Sequence, residues 1–225
     1  LNAGFKVLLC GRNKDRLNIL LKKKNAKFAF VDVHNVNNTV KVIKNSGANI
    51  VLNCVELRLN LNVMNACLKA NCNYLDLGGL QEMTLQQYKF YKVFKNKNLL
   101  ALLGCGSTPG IANVMAHYAV DKFDFVDHID LGFGWDSNIK EFVVPYSIES
   151  IVYEFTTAPV VLENGKFIKS KVCYYEGVSN LREVGKQNIY CIVHSEVYTF
   201  HKYFKNKGLK RVHYTAGFPE HSHKV

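Results

Sequence analysis

Between residues 6 and 103 the sequence repeats one pattern: a short apolar run, a turn, then a stretch with helical spacing. The apolar runs are residues 6–10 (KVLLC), 28–33 (FAFVDV), 49–54 (NIVLNC), 73–77 (NYLDL) and 99–103 (LLALL). Strands that are apolar nearly throughout, rather than alternating, are those buried on both faces, as in parallel sheets. The stretches between them carry helical signals. Leu17, Leu20 and Leu21 share one face, and so do Val63, Cys67 and Ala70. Gly47 stands where a helix over 37–46 would close, and Thr84 with Gln87 reads as a capping box for a helix running through Lys95. Strand and helix in alternation predict βαβ units and a doubly wound sheet.

The texture changes after Pro109. Residues 110–120 (GIANVMAHYAV) read as a helix with Pro109 near its first turn. Beyond it the runs are longer and alternate, as with Ile129, Leu131 and Phe133. Asn164–Gly165 lies between two strand-like runs and supplies the positive φ that a tight hairpin needs. Residues 188–196 and 210–218 are further strands, and helical signal is confined to about 147–155 and 197–204. The expected fold class is α/β: a doubly wound, Rossmann-like parallel sheet lacking its first strand, then a partial α+β domain with a mixed or antiparallel sheet. The expected division is a partial dinucleotide-binding domain at 1–115 and a partial substrate-binding or dimerisation domain at 116–225.

Composition narrows the class. No apolar run approaches the roughly 20 residues a membrane span needs. The seven cysteines form no C-x-x-C, and three of them (Cys10, Cys54, Cys191) fall in or at the end of apolar runs. They are expected to be buried, reduced thiols of a cytoplasmic protein rather than disulfides or metal ligands. The formal charge is +11, from 29 Lys and Arg against 18 Asp and Glu. Its lysines cluster with asparagine at 22–25, 95–98 and 205–207, without interleaved aromatics. That pattern suits solvated ends of elements and anion steering, and argues against nucleic acid.

A dinucleotide fold begins with a strand, a glycine-rich turn and a helix N-terminus. No G-x-G-x-x-G occurs, the chain starts at Leu1, and residues 1–13 (LNAGFKVLLCGRN) read as the tail of a helix followed by a second strand. A strand–turn–helix is therefore expected upstream, and weak cofactor binding by the 225 residues alone. After the second strand come Gly11, Arg12 and Asn13, where dinucleotide folds meet the adenosine ribose. An arginine there suits a 2′-phosphate and points to NADP over NAD; the plainer alternative is that Asn13 and Asp15 cap a helix while Arg12 is solvated. Asp32, followed by Val33, either meets the adenine amine or caps a turn. Asn53 and Cys54 either admit the nicotinamide ribose or are an ordinary strand end. Residues 74–82 (YLDLGGLQE) place Asp76, Leu77 and Gly78 at the carboxyl end of a strand. In 102–113 (LLGCGSTPGIAN), a strand runs through Gly104, Cys105 and Gly106 into a helix start whose N–H groups can hold a carboxylate.

With these stretches, and with 53–80 (NCVELRLNLNVMNACLKANCNYLDLGGL), 144–167 (VPYSIESIVYEFTTAPVVLENGKF) and 189–204 (IYCIVHSEVYTFHKYF), the chain resembles the saccharopine dehydrogenase family. The resemblance runs in order from near residue 5 to near residue 220. It implies a dinucleotide domain with a mixed-sheet substrate domain, NADP or NAD as cofactor, and a homo-oligomer such as a dimer. It implies hydride transfer at a carbon bearing nitrogen, with an amino acid or amino-acid conjugate of lysine metabolism as substrate. By analogy Asn53, Cys54, Asp76, Leu77, Gly78 and Gly104–Gly106 line the nicotinamide side. Pro109, Gly110 and Asn113 lie between cofactor and substrate, and Tyr146, Glu149, His194 and Glu196 come from the second domain.

For the proton step His194 is the natural candidate, since an imidazole titrates near working pH; Glu196 is the alternative or the group that orients it, with Asp76 the acid on the cofactor side. Hydride transfer to an imine needs no nucleophile, so Cys105 has no covalent role. No metal is expected: His213, His221 and His223 have no nearby acids or cysteines at metal spacing. Arg182, Lys186, Lys202 and Lys210 are available for substrate carboxylates. The rival reading is a non-catalytic dinucleotide- or metabolite-binding module, or an inactive fragment.

Overall fold

The apolar runs of the first half do form parallel strands. In the computed structural model, which describes residues 2–136 and 147–218, the chain divides into two compact units. One comprises Leu1–Leu77 with Leu85–Cys105, the other Gly78–Thr84 with Gly106–Val225. The helix across which the sequence reading drew its boundary belongs wholly to the second unit.

In the first unit β1 (Val7–Gly11) pairs in parallel with β2 (Ala26–Phe30). A second parallel set runs in the order β3 (Ile50–Asn53), β4 (Asn73–Asp76), β5 (Ala101–Leu102). Between the strands lie α1 (Asn18–Leu21), α2 (Val36–Ser46) and α3 (Asn60–Ala70), then α4 (Gln81–Tyr88) and α5 (Tyr91–Asn96) before β5. Helix α2 begins at Asn35, whose side chain accepts the Asn38 N–H, and stops at Gly47, whose φ of 64° a side chain resists. The core joins Ile43, Val63, Met64, Ala66, Cys67, Tyr74 and Phe94, with Val51, Ala101 and Leu103 packed against it. Burial of each of the larger aliphatic, Met and Phe side chains among them contributes roughly 1.5–3 kcal/mol.

Side chains alternate across a strand. Val51, Tyr74 and Ala101 therefore face the helices, while Ile50, Leu52 and Leu102 point the other way and are exposed. This corrects the expectation of strands covered on both faces: among the described residues the helices bury only one face. The same geometry corrects the thiols, because Cys10 and Cys54 are exposed while Cys67, Cys72 and Cys191 are buried. Helix α1 has only four residues, so it leaves β1 without a buried position. The capping box is also corrected. Helix α4 starts three residues earlier than Thr84, whose hydroxyl donates to the Leu80 carbonyl (3.0 Å) inside the helix, and Gln87 is buried rather than a cap.

In the second unit α6 (Ile111–Val120) leads to β6 (His128–Gly134), α7 (Ile148–Thr156), β7 (Val160–Glu163), β8 (Lys166–Lys169), β9 (Tyr174–Leu181), β10 (Gly185–Cys191), α8 (Glu196–Phe204) and β11 (Arg211–Phe218). The sheet order is β8-β7-β11-β10-β9, with β6 parallel to β11. Asn164 and Gly165 make the β7–β8 turn with φ of 49° and 75°, as the hairpin signal requires. Ser147 caps α7 by accepting the Ser150 N–H. Strand β11 alternates Val212, Tyr214 and Ala216 into a core with Leu162, Ile192, Val197, Phe200 and Phe204. Strand β9 escaped the sequence reading: YYEGVSNL lacks an apolar period, contains Gly177 at φ 122°, and pairs with β10 through a register shift at Ile189/Tyr190.

Candidate functional site

The carboxyl ends of the first unit's strands carry the residues singled out for the cofactor. Ligands of open α/β sheets gather at such ends. Gly11 ends β1, and Arg12 beyond it is exposed, with no ion-pair partner among the described residues. Its charge reaches Asp32, where it is the smallest of the influences holding that carboxyl below the usual range. The largest is the hydrogen bond from the His34 N–H (3.0 Å), followed by the His34 side chain. Asp32 therefore makes the turn contact, and that turn leads into α2. A pocket of about 650 Å³ opens here, lined by Asp32, His34, Asn35, Val36, Asn37 and Lys69. Asn13 accepts the Asp15 N–H (2.8 Å), so it shapes the turn after Arg12. The Val33 carbonyl accepts from Asn62 Nδ2 (3.2 Å), which ties this turn to α3.

Further along the same ends lies a buried polar cluster. Asp76 is fully buried at the end of β4. Its Oδ1 accepts the Gly104 N–H (2.8 Å). Its Oδ2 accepts from Gln87 Nε2 (2.6 Å), Tyr74 Oη (2.8 Å) and Asn60 Nδ2 (3.3 Å). Asn53 Nδ2 donates to Asn60 Oδ1 (2.8 Å) and Tyr74 Oη (3.2 Å). The Asp76 carbonyl accepts the Cys105 N–H at 2.7 Å. Asp76 thus fixes the Gly104–Cys105 backbone twice, once by side chain and once by main chain. Four donors converge on one carboxylate that is closed to solvent, so its geometry is that of a brace. Burial, then the adjacent Asp76 charge, pushes the Tyr74 phenol up, and the same two causes in the same order raise the Cys105 thiol. Cys54 and Leu77 are exposed beside this cluster. Asn60, Tyr74 and Gln87 were missed by the sequence reading. A tyrosine on the helix-facing side of a strand must find a hydroxyl partner, and that was the available signal.

The second unit has its own buried cluster. Helix α8 starts at Glu196, whose Oε1 accepts the Thr108 hydroxyl (3.1 Å) and whose Oε2 accepts the Ser195 hydroxyl (3.2 Å) and bonds His194 Nδ1. Thr108 also hydrogen-bonds the Tyr214 hydroxyl. The His194 ring stacks on Tyr214, with centroids 3.8 Å apart and planes 6° off parallel. Glu196 and Tyr214 are fully buried and His194 nearly so. Burial, and next the Glu196 charge, raises the Tyr214 phenol. With Nδ1 committed to Glu196, Nε2 is the ring nitrogen left for another partner. Thr108 and Tyr214 were not foreseen.

Gly78 and Gly104 stand at φ of 65° and 70°. In the 106–113 turn, Gly110 has φ 132°, and a Cβ there would lie 2.1 Å from the Gly106 carbonyl oxygen. Gly106 and Gly110 form a bridge, Pro109 is buried, and Asn113 Oδ1 accepts the Gly110 N–H (2.8 Å). The Ile111 and Ala112 N–H groups are already bonded to the carbonyls of Gly106 and Ser107. The expected carboxylate-binding N–H groups of α6 are to that extent occupied. Glu149 accepts the Ser147 hydroxyl (2.7 Å) in the first turn of α7, and Tyr146 lies outside the described residues.

Residues 2–102 match the family described as the saccharopine dehydrogenase NADP binding domain. Over these residues the chain is similar to a saccharopine dehydrogenase NADP-binding domain. NADP is accordingly the cofactor of the family, and Arg12, exposed beyond β1 and without an ion-pair partner among the described residues, has the chemistry to suit a 2′-phosphate. The chain is 27% identical over 204 residues to carboxyaminopropylagmatine dehydrogenase of Synechocystis, covering 86% of this chain and 50% of that one. It is 25% identical over 228 residues to carboxynorspermidine synthase of Vibrio alginolyticus, covering 95% and 53%. The chain thus spans about half the length of the curated relatives it matches. Saccharopine dehydrogenase (L-Glu forming) of Saccharomyces cerevisiae shares the saccharopine dehydrogenase fold at a TM-score of 0.74 and 11% identity, over 97% of this chain and 51% of that one. No helix among the described residues is long and apolar enough to cross a membrane.

Proposed function

We propose that the protein is an NADPH-dependent oxidoreductase that interconverts an imine and a secondary amine on an amino-acid-like conjugate. The observation that carries this reading is Arg12. It is an exposed guanidinium with no ion-pair partner among the described residues, at the kind of strand end where dinucleotide folds meet the adenosine ribose. NADPH, when bound, supplies the hydride. Asp32 and Val33 line the adenine side. Asn53, Cys54 and the braced Gly104–Cys105 backbone line the nicotinamide side, with Asp76 as the positioning residue behind them. In the second unit His194 delivers a proton from Nε2 to the imine nitrogen as the carbon accepts the hydride, giving the secondary amine. Glu196 holds the ring and carries the charge change, and Thr108 and Tyr214 hold Glu196. Pro109, Gly110 and Asn113 fix the turn beside the substrate.

Two relatives are named for carboxyl-bearing polyamine-type compounds, and their names favour such a conjugate over lysine. The protein is read as a homo-oligomer acting on a small molecule. The test is a fluorescence titration of NADPH and NADH against wild type and Arg12→Ala. Loss of one charged hydrogen-bonding group, about 1.5–3 kcal/mol, weakens NADPH roughly 10–100-fold and leaves NADH unchanged. Equal affinities for both nucleotides in both proteins, or no binding by a chain that also carries the strand–turn–helix expected upstream, sink the reading. A screen with carboxynorspermidine, carboxyaminopropylagmatine and saccharopine, read as NADP reduction, then assigns the substrate.

A further inference from the structure

Strands β9, β10 and β11 bring a carboxylate, a thiol and an imidazole together in the second unit, away from the His194–Glu196 cluster in their hydrogen bonding. Glu176 lies on β9, Cys191 on β10 and His213 on β11. One ligand atom from each falls within 4.8 Å of those of the other two. Cys191 is fully buried, and the His213 and Glu176 side chains are 12% and 16% exposed. Sequence spacing does not disclose the cluster, because the neighbours of His213 are strand partners and not sequence neighbours.

The contacts around His213 resemble those of a ligating histidine. Its Nδ1 faces Glu176 Oε1 at 2.7 Å, beside Cys191. Its Nε2 is held by Glu163 Oε1 at 2.6 Å. A carboxylate on the far ring nitrogen is the usual support for a metal-bound imidazole, because it fixes ring orientation and tautomer. Glu163 and Arg211 also line a pocket of about 250 Å³ with Asp127, His128, Asn164 and Lys210.

We infer that Glu176, Cys191 and His213 form a three-ligand site for a borderline-soft divalent cation, zinc foremost. Sulfur, nitrogen and oxygen donors together suit zinc better than magnesium or calcium, which take oxygen. Zinc–ligand bonds of about 2.0–2.3 Å put tetrahedral ligand pairs roughly 3.3–3.8 Å apart, so no pair need close by more than about 1.5 Å, and His213 and Glu176, now 2.7 Å apart, must part by about 0.6 Å or more. The fourth position is left to water or another small ligand. A carboxylate on each nitrogen favours the doubly protonated ring, in the direction of the raised His213 pKa. The cation takes the place of the Nδ1 proton and of the Cys191 thiol proton, both released to solvent, so the cluster's net charge is unchanged. Arg211 Nη2 lies 3.3 Å from Nδ1 and opposes the cation. Its Nη1 and Nε are tied to Asp130 (2.9 Å) and Glu163 (3.1 Å), which screen that charge.

The test is a titration of the metal-stripped protein with cobalt(II), followed by zinc. The expected result is one cobalt per chain, with a near-ultraviolet thiolate-to-cobalt charge-transfer band that zinc abolishes. Cys191→Ser removes the band, with folding checked by far-ultraviolet circular dichroism. If the serine variant does not fold, Glu176→Gln decides: affinity lower by tenfold or more supports the site, and unchanged affinity overturns it. Absence of the band in wild type, or its persistence in Cys191→Ser, also overturns it. None of these readouts depends on nucleotide binding or turnover, so the site stands or falls separately from the oxidoreductase reading.

Discussion

Replacing Asp76 by asparagine changes one oxygen of a fully buried carboxylate into a donor. Four donors converge there: the Gly104 N–H on Oδ1, and Gln87, Tyr74 and Asn60 on Oδ2. The less costly orientation keeps the amide oxygen toward the three side chains and turns the NH2 toward Gly104. One charge-assisted bond is then lost, about 1.5–3 kcal/mol, and a buried N–H is left facing another donor, about 1–3 kcal/mol. Relief of the buried charge offsets part of this. The net expectation is a loss of about 3 kcal/mol in the first unit. The single tryptophan, Trp135, lies in the second unit, so its fluorescence does not report the change. Hydrogen exchange of peptides spanning 73–77 and 99–105, together with urea unfolding followed by circular dichroism, reads it directly. Exchange should accelerate at Gly104, and NADPH affinity should fall with it, since Gly104 loses its side-chain anchor. A stability change under about 1 kcal/mol with unaltered exchange at Gly104 would refute the bracing role.

Three further outcomes follow from the same geometry. Glu196→Gln keeps the shape of the His194 contact but not its charge, and should lower turnover roughly 100-fold while leaving NADPH affinity as it was; steady-state kinetics beside a binding titration checks this. Alkylation of the folded protein should reach Cys10 and Cys54 first. Cys67 and Cys191, whose thiols burial pushes up to about 12, should react only on denaturation, as peptide mass spectrometry will show. Gly110→Ala drives a Cβ to 2.1 Å from the Gly106 carbonyl at a φ of 132°, and should cost at least about 2 kcal/mol in a thermal melt, with the second unit affected first.

What the sequence disclosed was local. Asn164–Gly165 announced a hairpin because only a few residues tolerate its dihedrals, and Ser147 and Gly47 marked helix ends for similar reasons. The apolar runs announced parallel strands. Their uncovered face was invisible, because an apolar residue looks the same whether or not a helix lies over it, as Leu52 and Leu102 show. In the candidate sites, His194 and Glu196 were legible as adjacent polar residues at a strand–helix junction. Tyr214 and Thr108 complete their cluster from 20 and 86 positions away from His194, and no local pattern links them. Gln87 misled for a definite reason: three residues after a threonine it imitates a cap, whereas the fold uses it to hold Asp76.

The pairing of β11 bears on how the chain comes into being. This strand runs parallel to β6 along Arg211–Gly217, meets β7 at Val212 and β10 over Thr215–Phe218, and it is the last strand of the described chain. During synthesis β6, β7 and β10 leave the ribosome before the one segment that joins them. Until Phe218 has emerged, the β7–β8 and β9–β10 hairpins form without a shared neighbour, and β6 presents an open edge for some 80 residues of elongation. Pairing over such sequence distances is slow, and bare strand edges are sticky. The second unit is therefore assembled only once β11 has been made. A stop codon anywhere before residue 211 removes the keystone of the sheet and yields a chain for the cell's chaperones and proteases instead of a smaller folded protein.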